Sequence, residues 1–170
     1  MKKILLFLIF ISISLFLVYK FSKKEEITIG FVGALTAKYS VLGNAMMNGI
    51  MLAFEEENYR INGKKIKLIF KDDKKDPEVN KQIVNEFIDQ GIKIVIGNVT
   101  SSMSKISMSI INNYPDMFMI SAASASNEFS GKDDQFFRVH SSNDNKRFES
   151  FTNFILIFFP IILFLLANPI

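Results

Sequence analysis

The sequence predicts an α/β fold, a doubly wound parallel sheet with helices on both faces. Three observations carry this. Short β-branched and aromatic runs alternate with helix-period segments between residues 27 and 120. The connections between them are short and carry turn chemistry. The runs at 93–96 and 117–120 are almost wholly apolar, as central strands covered on both faces should be.

The elements follow in order. Residues 27–32 (ITIGFV) read as a strand ending at Gly33. Over 43–58, Met46, Met47, Ile50, Met51 and Phe54 fall on one helical face. Asn62-Gly63 marks a turn, and 66–70 is a second strand. Asp76 then supplies an N-cap and Pro77 the first helical position. Val79, Ile83, Val84, Phe87 and Ile88 line that helix's inner face, and Gly91 ends it. A third strand at 93–96 closes with Gly97. Ser101 and Ser102 are placed to cap a third helix with Met103, Ile106, Ile110 and Ile111 inward. Asn112, Asn113 and Pro115 stop it, 117–120 is a fourth strand, and 136–139 a fifth, shorter one. Strands alternating with helices in this way give a parallel sheet covered on both sides. Met and Phe at helical spacing are core, not a cofactor box.

The two ends differ from this middle. Residues 4–19 form an apolar run broken only by Ser12 and Ser14 and preceded by Lys2 and Lys3. A positive start followed by an apolar run is the pattern of an export signal, so 1–22 is read as a signal peptide or a retained N-terminal membrane anchor. Residues 151–170 (FTNFILIFFPIILFLLANPI) carry no charge. The run reaches the roughly 20 residues that cross a bilayer, with Pro160 to kink it. Two readings stand: a membrane segment, or a tail left by truncation or a shifted reading frame, the second being preferred. Both terminal runs are expected as apolar helices, leaving 23–150 as the folded domain.

Composition narrows the chemistry. The chain of 170 residues has no cysteine and a single histidine, His140. Disulfide scaffolds, thiolate metal sites, cysteine nucleophiles and histidine-built metal centres are excluded. The net charge of +3 comes from Lys2, Lys3 and Lys20, so the middle is neutral, with 17 basic and 17 acidic side chains. There is no basic footprint for nucleic acid. Gly30-Phe-Val-Gly33 has the wrong spacing for a dinucleotide fingerprint, and the turn from Gly97 to Ser102 lacks the second glycine and lysine of a phosphate loop. No Gly-x-Ser-x-Gly elbow occurs, so the chain is not expected to be an enzyme. Asp72-Asp73 sits among Lys71, Lys74 and Lys75 and reads as caps and ion pairs rather than a metal pair. Asn98-Val99-Thr100 is formally a glycosylation sequon but is expected to be a tight buried turn.

In an open parallel sheet, ligands sit beyond the carboxyl ends of the strands. Three loops leave those ends: 33–40 (GALTAKYS), 97–102 (GNVTSS) and 121–127 (SAASASN). All are small, hydroxyl-bearing and nearly uncharged. The second leads into a helix N-terminus, where free N–H groups and the helix dipole favour an anion. The set suits a small ligand with one carboxylate; serines that only cap helices are the competing reading.

These residues resemble a known family. The stretch 27–36 (ITIGFVGALT), with Gly43 and Asn48-Gly49-Ile50, is similar to the start of type I periplasmic binding proteins of the leucine/isoleucine/valine-binding group of ABC importers. So are 71–77 (KDDKKDP), 91–97 (GIKIVIG) followed by Thr100-Ser101-Ser102, and 119–126 (MISAASAS). The likeness covers about 27–145 and implies the first lobe of the periplasmic binding protein-like I fold, well under half of a full member.

It further implies an exported, non-catalytic receptor in the periplasm or on the outer face of the cytoplasmic membrane. Its partners would be a small amino acid or similar zwitterion, an ABC permease and the membrane, with no cofactor. Carried over by position, Ser101, Ser102, Ala123, Ser124 and Ser126 are the ligand-binding residues, with Tyr39 as an aromatic contact. The chain departs from the family at Ala122, where proline is usual, and near Ala125, where threonine is usual; the register of that loop is open by one or two residues. A membrane-anchored sensing or interaction module built on the same lobe is the alternative function.

Overall fold

The computed structural model describes residues 26–140, with Ser12 and Ser14 besides. The rest of the expected signal or anchor at 1–22 and the apolar tail at 151–170 lie outside the described residues. Among the described residues, no helix is long and apolar enough to cross a membrane.

The elements are β1 (Glu26–Gly33), α1 (Ser40–Glu56), β2 (Arg60–Ile61), β3 (Lys64–Asp72), α2 (Pro77–Asp89), β4 (Ile94–Gly97), α3 (Ser101–Ile111), β5 (Phe118–Ser121) and β6 (Phe136–Arg138). They form one sheet in the order β2-β3-β1-β4-β5-β6. The pairings β1–β3, β1–β4, β4–β5 and β5–β6 are parallel, and the short β2 pairs antiparallel with β3. From β1 the chain moves to β3 on one side and then crosses to β4 on the other. The loops after β1 and β4 therefore diverge from adjacent strand ends, the place where open α/β sheets bind their ligands.

The core has two layers. On one face Met46, Ile50 and Phe54 of α1 pack on Ile29, Phe31, Ile66, Ile94, Ile96 and Ile120. On the other, Ile83, Val84 and Phe87 of α2 and Met108 and Ile111 of α3 pack on Val32, Val95 and Met119. Phe87 lies directly over Gly30, where a Cβ would stand 2.7 Å from its ring. Full burial of each such side chain contributes about 1.5–3 kcal/mol.

Local chemistry explains the helix ends. Asp76 caps α2, its carboxylate accepting from the N–H groups of Glu78 (2.8 Å) and Val79 (3.1 Å), with Pro77 at the first helical position. Gly91 takes φ +69°. The N–H groups of Gly91 and Ile92 then donate to the carbonyls of Ile88 and Phe87, both at 2.9 Å, which closes the helix.

Three expectations are corrected. On α1, Met46, Ile50 and Phe54 are buried, but Met51 is 41% exposed, because residues one step round the helix turn about 100° away from the sheet. On α3, the buried side chains are Met103, Ser104, Ser107, Met108 and Ile111, while Ile106 and Ile110 are half-buried. Two serines thus occupy the inward stripe. The third concerns the start of α3: Thr100 holds the N-cap position, with no side-chain capping bond, and Ser101 and Ser102 are the first helical residues.

Candidate functional site

The loops after β1, β3, β4 and β5 all leave the carboxyl edge of the sheet, and specific bonds tie them into one rim. Asp72, the last residue of β3, clamps the loop after β1. Its Oδ1 accepts from the N–H groups of Leu35 (2.8 Å), Thr36 (3.3 Å) and Lys74 (2.9 Å), and its Oδ2 accepts from the Thr36 hydroxyl. The Asp73 N–H donates to the Gly33 carbonyl at 3.0 Å. Asn44 of α1 adds a second tether, its side-chain amide donating to the carbonyl of Leu35 at 3.0 Å. Burial pushes the Asp72 carboxyl up, but the Thr36 hydroxyl and the three N–H donors outweigh it and hold it below the ordinary range.

Beneath the rim lies a polar cluster that hydrophobic periodicity does not reveal. Asp73, Asn80, Asn98, Ser104, Ser107, Ser121 and Ser124 are all buried. The side-chain amide of Asn98 donates to Asp73 Oδ2 (3.0 Å) and Asn80 Oδ1 (2.6 Å), and its own carbonyl accepts from the Ser107 hydroxyl (2.8 Å). The Asn98 backbone N–H donates to Ser104 Oγ at 3.2 Å, and Ser104 shares a hydrogen bond with Ser124. Burial pushes the Asp73 carboxyl up; the Lys75 N–H and the Asn98 amide offset part of this, and the charge of Asp72 adds to it. Among the described residues, every buried side-chain N or O has a partner. The sequon at Asn98 is the buried turn that was expected, with Asn98 and Val99 both enclosed.

Gly97 shapes this turn. It takes φ +147°, and a Cβ there would overlap the Val32 carbonyl oxygen, so only glycine fits.

The structure brings Ser101 and Ser126 together. The N–H of Ser126 donates to Ser101 Oγ at 3.2 Å, joining the loop after β5 to the start of α3. The Ser101 oxygen accepts in this bond, and its hydroxyl still carries one proton to donate. The N–H groups of Ser101 and Ser102 open a helix and have no intrahelical acceptor. Ser102 is exposed, with its hydroxyl 3.2 Å from that of Thr100. Ser126 Oγ accepts from the N–H of Glu128 (3.3 Å), and its carbonyl accepts from Arg138 at 2.8 Å. Arg138 also donates to the Ser130 hydroxyl at 2.7 Å, so one β6 side chain holds both ends of this turn.

The remaining expected residues are placed differently. Ser124 is fully enclosed, and its hydroxyl bonds those of Ser104 and Ser121, the latter at 2.9 Å. Ala123 is half-buried, and its N–H points back to Ser121 Oγ at 3.4 Å. Tyr39 ends a short 3-10 turn, packs beside the α1-side core and has Lys75 Nζ 4.2 Å from its ring centroid. Asp72 is expected to cap and to pair with the neighbouring lysines, and it caps, through the backbone N–H groups of Leu35, Thr36 and Lys74. Asn98 and Arg138 are the residues that sequence reasoning missed, Asn98 carrying only a formal sequon.

Comparison with known proteins places this geometry. A family model described as periplasmic binding protein matches residues 26–155. The Leu/Ile/Val-binding protein homolog 2 of Brucella abortus is 32% identical over 81 residues, covering 46% of this chain and 22% of that protein. Among solved structures, the branched-chain amino acid transporter substrate binding protein LivJ of Streptococcus pneumoniae, in complex with isoleucine, superposes with a TM-score of 0.65 at 22% identity, over 69% of this chain and 34% of that one. An ABC transporter substrate-binding protein from Desulfitobacterium hafniense gives 0.60 at 30% identity, over 69% and 35%. The chain spans well under half the length of each relative. With its sheet order, its rim of hydroxyl-bearing loops and a family match over most of its length, the chain belongs to the periplasmic binding protein family.

Proposed function

We propose that this lobe is one wall of the ligand site of an exported solute-binding protein serving an ABC importer, and that it takes a branched-chain-type amino acid by its carboxylate and ammonium groups. The observation that carries this is the Ser126 N–H to Ser101 Oγ bond, which draws a helix N-terminus and a hydroxyl-rich loop into a single polar rim. The N–H groups of Ser101 and Ser102, the positive end of α3 and the Ser101 hydroxyl receive the carboxylate. Backbone at Ala123 and the hydroxyl of Ser126 receive the ammonium group. Ser124 serves from beneath, and Tyr39 flanks the apolar side chain. The names of the Brucella and Streptococcus relatives support a leucine- or isoleucine-like ligand. The process is binding rather than catalysis. The lysine-flanked run at 4–19 supports export to the periplasm, as a cleaved signal or an anchor, and delivery to a membrane permease.

A good small-molecule site encloses about 70–90% of its ligand. One wall alone therefore binds weakly, with a Kd on the order of millimolar, about −4 kcal/mol. Calorimetric titration of the chain with L-isoleucine tests the reading. Saturable binding that Ser101→Ala weakens about tenfold, a loss of roughly 1.4 kcal/mol, is expected. Equal affinity in Ser101→Ala and the parent chain would overturn the assignment of the carboxylate site.

A further inference from the structure

The polar cluster under the rim lies where apolar packing would otherwise be found. α2 and α3 turn Asn80, Ser104 and Ser107 inward among Phe87, Met103 and Met108. Buried polar groups of this kind contribute little net stability and cost heavily when unpaired. What they do supply is direction, because each hydrogen bond fixes an orientation that van der Waals contact leaves free.

The bonds form a continuous path. It starts at Asp73 on the end of β3, whose Oδ1 accepts from the Lys75 N–H at 2.8 Å. It passes through Asn98 to the Ser104 hydroxyl on α3, then to Ser124 and Ser121. Ser121 closes the path on itself. Its hydroxyl lies 3.3 Å from the Asn98 carbonyl and 2.9 Å from Ser124 Oγ, two acceptors for one proton. Its oxygen in turn accepts from the N–H of Ser124 at 3.1 Å and of Ala123 at 3.4 Å. Ser104 is one of two joints between the halves: its oxygen meets both the Asn98 N–H and the Ser124 hydroxyl, and the Ser121 hydroxyl beside the Asn98 carbonyl is the other.

We propose that Ser104 and Ser124 are positioning residues, whose shared hydrogen bond fixes the loop at 121–126 against the start of α3 before any ligand arrives. The assignment rests on the reading of those two segments as the ligand wall, and it deepens that reading. Neither hydroxyl reaches the rim. They act through the backbone, holding Ser126 where its N–H meets Ser101. Fixing a loop in its bound form in advance removes an ordering cost from binding.

The test uses the full chain with Ser104→Ala, Ser124→Ala and the conservative Ser104→Thr. Two readouts are taken: amide hydrogen exchange followed by NMR, and titration with L-isoleucine. Exchange reports the loop whether or not isoleucine binds, so the positioning claim and the ligand reading fail separately. Both alanine variants are expected to speed exchange of the Ser124 and Ser126 amides about tenfold, while core amides such as Val95 and Ile96 keep their protection. Isoleucine affinity should fall about tenfold in both. Ser104→Thr, which keeps the hydroxyl, should restore both values. Ser124→Ala leaves the Asn98 N–H bonded to Ser104, so it carries the test if Ser104→Ala does not fold.

Unchanged exchange at 124 and 126 in a folded variant would overturn the proposal, and so would loss of the fold in both alanine variants, since the pair would then hold the core rather than the loop. Faster exchange with isoleucine affinity unchanged would overturn the link to binding. Faster exchange in a chain that binds no isoleucine would uphold the positioning role and sink the ligand reading.

Discussion

Replacing Asn98 by alanine strips the centre from the buried polar cluster. Three side-chain hydrogen bonds disappear: to Asp73 at 3.0 Å, to Asn80 at 2.6 Å and from Ser107 at 2.8 Å. The losses are unequal. Asn80 Oδ1 keeps a longer bond from Ser107 at 3.3 Å, so that pair partly recovers. Asp73 does not, because its carboxylate keeps the Lys75 N–H but loses the Asn98 amide, its only side-chain donor among the described residues, while 1% exposed. A bond to a charged acceptor is worth about 1.5–3 kcal/mol and each neutral bond about 1 kcal/mol, so the expected loss is about 3–5 kcal/mol. Small domains have about 5–15 kcal/mol in total, so the variant stays folded with a much reduced margin. Urea unfolding followed by far-UV circular dichroism measures this directly. A slope of about 1–2 kcal/mol per molar urea puts the midpoint about 1.5–5 M lower. A loss under about 1 kcal/mol would refute the reasoning, since it would mean that the cluster is wet or its bonds are not formed.

Other expectations follow from the same coordinates. Phe87→Ala removes a fully buried ring seated over Gly30 and should cost about 3–5 kcal/mol in the same assay; a loss below about 1.5 kcal/mol would contradict the two-layer core. Gly97→Ala forces a Cβ onto the Val32 carbonyl at a φ that L residues avoid, and should cost about 2 kcal/mol or more, read as a lower urea midpoint. The two adjacent acids should respond oppositely to pH. Asp73 has a raised folded-state pKa, so its contribution to stability declines as pH rises from the unfolded value through the folded one. Asp72 has a lowered folded-state pKa, so its contribution is complete above the unfolded value and is lost as pH falls through the folded one. Urea midpoints measured between about pH 3 and 7 should therefore show the advantage of the parent chain over Asp73→Asn narrowing toward neutrality, and its advantage over Asp72→Asn widening. Parallel trends for the two variants would contradict the assignments.

Much of the architecture was legible in the residues because local chemistry and global packing agree. Asp76-Pro77 and Gly91 carry the start and stop of α2 in their own side chains or lack of one. The apolar runs at β4 and β5 fit only strands covered on both sides. What stayed hidden depends on partners far along the chain. Ser104 and Ser107 look like surface positions in a serine-rich helix, and the apolar template selects Ile106 and Ile110 instead. They are inward because Asn98, Ser124 and Asn80 wait there, 6 to 27 residues away in sequence.

Ser101, Ser102 and Ser126 reached the rim because loop position follows from topology alone. Ser124 turned beneath it, because one residue of register in an irregular loop reverses a side chain. The short β2 hairpin escaped notice for a simpler reason: two residues, Arg60 and Ile61, show no periodicity.

The proposed polar wall for the charged ends of an amino acid is the start of α3 together with the loop after β5. Backbone amide shifts measured by NMR during titration with L-isoleucine test it most directly. The largest changes are expected on Ser101, Ser102 and Ser126, with the opposite edge of the sheet around Glu26 and Lys65 unmoved. Changes centred on that opposite edge, or spread evenly with no focus on those three serines, would contradict it.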